Sequence, residues 1–106
     1  MPELLFGNWD SNLKEIADAL SGYEAANPDA HVSLYRQNSA AVRIRVIDPS
    51  FAGLGIGERG KMVWPYLRPL SEDARSEITV SLMLTPDDVP SSFANVDFGS
   101  PVPSAL

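Results

Sequence analysis

A chain of 106 residues, 44% hydrophobic and 21% charged, has the apolar content for one modest core, and its formal net charge of −6 disfavours nonspecific binding to nucleic acid or anionic membranes. It contains no cysteine, which excludes a disulfide framework, a thiol nucleophile and a thiolate metal site. No apolar run approaches the roughly 20 residues that span a bilayer, and the first residues lack the basic flank and long apolar stretch of a signal peptide, so the expected location is cytoplasmic.

Residues 1–9 form a leader in which Leu4, Leu5, Phe6 and Trp9 either dock on the core or cover a sheet edge. Asp10 and Ser11 are helix N-cap residues. Leu13, Ile16, Ala17 and Leu20 then recur at helical spacing, with Lys14, Glu15 and Asp18 off that face, which predicts an amphipathic helix ended by Gly22 or, at the latest, by Asn27-Pro28. His31 to Arg36 alternates, Val32 and Leu34 inward and His31, Ser33 and Tyr35 outward. Gln37-Asn38-Ser39-Ala40 reads as a polar hairpin loop. Val42, Ile44 and Val46 alternate with Arg43 and Arg45, the period of a half-buried strand.

A Pro- and Gly-rich turn with Gly53, Gly55, Gly57 and Gly60 follows, and then an apolar-periodic helix carrying Val63, Tyr66, Leu67 and Leu70. Ser71 to Arg75 is a solvated connection or a single helical turn. Ile78 to Leu84 alternates again, with Ile78, Val80, Leu82 and Leu84 assigned inward and Thr79, Ser81 and Met83 outward; Thr85-Pro86-Asp87-Asp88 stops the strand. Residues 89–106 mix prolines, serines and isolated aromatics without a period and read as a loosely held tail. The expected fold is therefore a two-layer α+β domain over residues 10–88, with a three-stranded mixed sheet and helices on one face in αββααβ order. Ile44, Val80 and Leu20 should share its interior.

The order and the residues around the turn resemble a BolA-like domain, which has the class II KH-like fold. Phe51, Gly53, Arg59, Val63 and Leu67 fall at the intervals of that family's Phe-x-Gly, Arg-His and helix residues, and Thr85-Pro86-Asp87-Asp88 matches the close of its third strand. The resemblance covers about residues 10–88. It implies a non-catalytic interaction or regulatory domain with a protein partner, a monothiol glutaredoxin in that family. The family shares a [2Fe–2S] cluster with that partner through a histidine whose position is Gly60 in this chain. Glycine has no donor atom, and the hairpin loop offers neither His nor Cys, so no cofactor or metal is expected.

The same turn reads Ile56-Gly57-Glu58-Arg59-Gly60-Lys61, an apolar residue followed by Gly-x-x-Gly at the opening of a helix. This is the pattern by which KH domains let a single-stranded RNA or DNA backbone approach closely, with Arg59, Lys61, Arg43 and Arg45 as cations. Pro65 favours it if the helix starts just after Gly60, because a proline is tolerated in a first turn. Glu58, Asp48 and the overall acidity oppose it. Gly55 to Gly60 also spells GxGxxG, but it lies too far past its strand, in too short a sheet, for a dinucleotide fold.

His31 has no nucleophile or carboxylate at triad spacing, and Asp87-Asp88, with Asp97, reads as a solvated turn rather than a metal site. Arg36, Arg43 and Arg45 beside Tyr35 read as a small basic patch, and Trp64, off the apolar stripe, as a contact anchor. The surface expected to meet a partner is Gly57, Glu58, Arg59, Gly60, Lys61 and Trp64, with Arg43 and Arg45 joining it for nucleic acid. No catalytic constellation is present.

Overall fold

A computed structural model describes residues 1–91 together with Asn95 and Phe98. The expectation of a loose tail over residues 89–106 falls mostly outside the described residues. The elements, in chain order, are β1 (Glu3–Leu4), α1 (Ser11–Ala26), β2 (His31–Asn38), β3 (Ala41–Ile47), α2 (Ile56–Leu67), α3 (Glu72–Glu77) and β4 (Ile78–Leu84), with short 3₁₀ turns at Pro49–Phe51 and Val89–Ser91. The class is α+β, as the sequence implies.

The sheet has four strands where three were expected, in the order β1-β2-β3-β4. The extra strand comes from the leader: Glu3 and Leu4 pair in parallel with Ser33 and Leu34, so this stretch covers a sheet edge. A two-residue pairing has no period to announce it. β2 and β3 form an antiparallel hairpin, and β3 and β4 run parallel. The hairpin connection is shorter than the four residues expected, because β2 continues through a bulge between Arg36 and Asn38, and Asn38 pairs with Ala41.

Helix α1 begins where its cap was expected. Asp10 takes an extended backbone conformation, and its carboxylate accepts from the Leu13 amide at 2.9 Å. Such a cap contributes about 1 kcal/mol. The helix runs past Gly22 to the later of its two expected ends, because the residue before Pro28 is biased out of helical conformation. Leu13, Ile16, Ala17, Leu20 and Tyr23 form its buried face. They pack with Val32, Leu34, Val42, Ile44 and Val46 from the hairpin, Phe51, Val63 and Leu67 around α2, and Ala74 of α3. The connection after Leu70 is α3, capped by Ser71, whose hydroxyl accepts from the Ala74 amide.

Strand β4 departs from the expected alternation. Val42 pairs with Ile78 but Arg43 with Val80, so Thr79 is an extra residue in a bulge. Beyond it every side chain changes face. Ser81 and Met83 pair with Ile44 and Val46 on the helix-covered side, while Val80, Leu82 and Leu84 pair with Arg43, Arg45 and Ile47 on the other. Ile78 and Met83 pack against the core; Val80 does not share the interior of Ile44 and Leu20.

The outer face of the sheet is not open either. Ser33 and Tyr35 point outward as expected yet are fully buried. Phe98, itself buried, meets the Tyr35 ring edge-on with centroids 5.3 Å apart. Among the described residues no helix is long and apolar enough to cross a membrane.

Candidate interaction site

The 3₁₀ turn after β3 fixes where α2 starts. Asp48 is fully buried at the end of the strand, and its carboxylate accepts from the Ser50 amide, capping the turn that seats Phe51 in the core. Gly53, at φ +78°, then reverses the chain in a conformation that favours glycine. Gly55 is the N-cap of α2, and the Arg59 amide donates to its carbonyl at 3.0 Å. Gly57, Glu58, Arg59 and Gly60 are therefore residues of the first turns of a helix. The loop expected between the two glycines is not formed, and Pro65 lies well inside α2 rather than in a first turn.

Helix α2 sends its side chains in three directions. Val63 and Leu67 face the core. Arg59 reaches sideways to the end of β4. Its Nε donates to the Leu54 carbonyl at 2.9 Å, and its Nη1 donates to the Met83 carbonyl at 3.0 Å and to Asp88 Oδ2 at 2.9 Å. Its guanidinium carbon stands 5.7 Å from the centre of the Phe51 ring. Asp88 also accepts from the Thr85 amide, and the Asp88 amide donates to the Thr85 hydroxyl. The Thr85 amide and then the Arg59 guanidinium hold the Asp88 carboxyl below the usual carboxylate range. The Phe51, Arg59 and Thr-Pro-Asp-Asp motifs thus form one clasp that ties α2 to β4, and Arg59 is a structural cation with a largely covered side chain.

The third direction is the exposed one. Ile56 is 90% exposed and Trp64 38% exposed, and Lys61 and Arg68 are exposed on the same side. Ile56, Gly60 and Trp64 succeed each other at four-residue spacing and so share a face. With no side chain at Gly60, the indole lies back along the helix: an added Cβ there would stand 3.3 Å from Trp64 Cδ1. The result is an apolar groove lined by Ile56, Arg59, Gly60 and Trp64 of α2 and by Ser81 to Leu84 of β4. Lys61 and Arg68 border its continuation along the helix. Neither makes an ion pair among the described residues.

Arg43 and Arg45 are not brought to this site. They lie on the opposite face of the sheet, Arg43 donating to Gln37 Oε1 and the Tyr35 hydroxyl, both at 3.1 Å. Arg45 donates to Ser33 Oγ at 3.1 Å and Asn95 Oδ1 at 2.8 Å, with Phe98 beneath its guanidinium, and burial lowers its pKa. Arg36 does not complete a patch with them, because its side chain takes the helix side and binds Asp10 and Glu77. His31 is exposed at the start of β2, 3.4 Å from Glu3 Oε1. Among the described residues no three His, Cys, Asp or Glu side chains gather as a metal site. Asp97 lies outside them.

Sequence reasoning located Trp64, Gly60 and Lys61 but missed Ile56, Arg68, Ser81 and Met83 of the same surface. Ile56 carried a signal, a large apolar residue off the buried stripe of its helix. No family model matches the chain, and no curated protein or solved structure does so.

Proposed function

We propose that this chain is a non-catalytic interaction domain of BolA-like architecture, acting through protein contacts made by the exposed face of α2. The observation that carries the reading is the display of Ile56 and Trp64 on one exposed face of α2, on either side of Gly60, with Lys61 and Arg68 beside them. Ile56, 90% exposed, gives little to folding, and an aromatic residue on the same face with adjacent cations is the composition of a contact anchor. The clasp of Phe51, Arg59, Thr85 and Asp88 supports the BolA-like scaffold, since the short motifs behind that resemblance act together in holding α2 to β4. Iron–sulfur ligation is not part of the proposal: Gly60 supplies no donor atom, and His31 stands beside Glu3 at the sheet edge.

Affinity capture from a cell extract tests it, with the wild-type chain, a Lys14→Glu control on α1 and an Ile56→Glu/Trp64→Glu double variant. The expected result is a protein held by the first two and lost from the third. Identical captured sets from all three would remove the reading. Titration with labelled single-stranded oligonucleotides at low salt should give no saturable binding. Saturable binding abolished by Gly57→Asp would put a KH-type module in its place.

A further inference from the structure

We propose that the groove between α2 and the open edge of β4 receives an extended, acidic segment of a partner protein as an added strand. The proposal rests on the reading of the α2 face as a contact surface and names what occupies it.

β4 ends the sheet order, so one side of it has no neighbouring strand among the described residues. The Leu84 carbonyl accepts from the Asp48 amide at 2.9 Å and therefore faces β3. Backbone groups alternate in direction along a strand, so those of Met83 and Ser81 face the open side. Arg59 already occupies the Met83 carbonyl. Among the described residues the Ser81 N–H and C=O and the Met83 N–H remain as an edge for backbone pairing, and the apolar groove runs directly beside them. An extended segment paired to this edge places alternate side chains toward α2, where Ile56 and Trp64 flank the space above Gly60.

Charge selects the occupant. Lys61 and Arg68 form a basic rim on the adjoining stretch of α2, which shares Ile56, Gly60 and Trp64 with the groove; neither makes an ion pair among the described residues, on a chain whose net charge is −6. A second copy added through its own β4 would set two α2 helices side by side with Lys61 and Arg68 of each facing like charge, which disfavours self-pairing. A segment alternating apolar residues with Asp or Glu satisfies the backbone edge, the groove and the rim together.

The test is selection of binders from a displayed library of random dodecapeptides, followed by amide hydrogen exchange of the full chain with the enriched peptides. Peptides alternating apolar and acidic residues should emerge and should slow exchange at the Ser81 and Met83 amides. Ile56→Glu and Lys61→Glu/Arg68→Glu, all at exposed positions, should each weaken binding about tenfold. Peptides that need Ile56 and Trp64 but leave the two amides unprotected would overturn strand addition while sparing the contact face. Enrichment of basic peptides, or of none, would overturn the proposal, as would a dimer that protects both amides without any peptide.

Discussion

The Tyr23 hydroxyl donates a 2.5 Å hydrogen bond to Asp48 Oδ2, and both residues are fully buried. The contact joins the end of α1 to the end of β3, and the other Asp48 oxygen caps the turn that leads to α2. Burial first, and then the Asp48 carboxylate, push the Tyr23 phenol well above its ordinary range. Tyr23→Phe removes the donor and leaves a buried carboxylate oxygen without it, so the variant should lose about 1–3 kcal/mol, read from the urea unfolding midpoint. A folded-state pKa raised above the unfolded value of roughly 10 contributes stability that is present below that pH and lost above it. The wild type should therefore lose stability through the alkaline range more steeply than Tyr23→Phe. Equal slopes would show that the hydroxyl does not hold its proton for Asp48.

Arg36 offers the opposite sign. It is bound to Asp10 at 2.7 Å and to Glu77 at 2.9 Å, joining the caps of α1 and the end of α3 across β2. Its hydrogen bonds hold both carboxyls below the usual carboxylate range. Depressed folded-state values give stability that is present at neutral pH and lost as pH falls through them, below about 4. Arg36→Met should cost about 1–3 kcal/mol at neutral pH, mostly through the more covered Glu77, and the gap from wild type should close on acidification. A gap that stays constant into strong acid would assign the effect to lost packing of the arginine stem.

The bulge at Thr79 gives a test of which side chains of β4 reach the core. Met83 pairs with Val46 on the core side, whereas Leu82 pairs with Arg45 on the outer side. A double-mutant cycle of Val46→Ala with Met83→Ala should show a coupling of about 0.5 kcal/mol or more, and the cycle of Val46→Ala with Leu82→Ala one near zero. The reverse pattern, a coupling to Leu82 and none to Met83, would restore the uninterrupted alternation.

These three cases also show what a sequence can carry. The faces of α1 and β3 were legible because each has one buried side and one polar side, so the period is visible. β4 was not, because Ile78, Val80, Leu82, Met83 and Leu84 supply apolar residues in both phases and one extra residue switches the face without a compositional trace. The Tyr35 ring is met by Phe98, more than sixty residues away in sequence. The roles of the arginines were hidden for the same reason. Arg59, Arg45 and Arg36 look like free cations until their long-range partners Asp88, Asn95 and Glu77 are placed. The candidate contact surface was partly legible, since Trp64 stood off the helical stripe, but its β4 wall required the tertiary fold.

Gly57 separates a structural from a functional origin of the Gly-x-x-Gly pattern. It lies in the first turn of α2, and an added Cβ would meet no heavy atom within 4 Å. Glycine is a poor helix former because its unfolded state is so free, so Gly57→Ala should raise stability by about 0.5–1 kcal/mol. Gly60 gives the contrast. Its added Cβ would stand 3.3 Å from Trp64 Cδ1, so the helix gain of Gly60→Ala is offset by displacement of the indole. That variant should show little net stabilisation and a shifted Trp64 fluorescence, measured in a Trp9→Phe background in which Trp64 is the remaining tryptophan. The differing responses follow from one helix with an open side at Gly57 and an indole lying over Gly60. A Gly57→Ala variant less stable than wild type would mean that residue 57 does not sit in a regular helical turn.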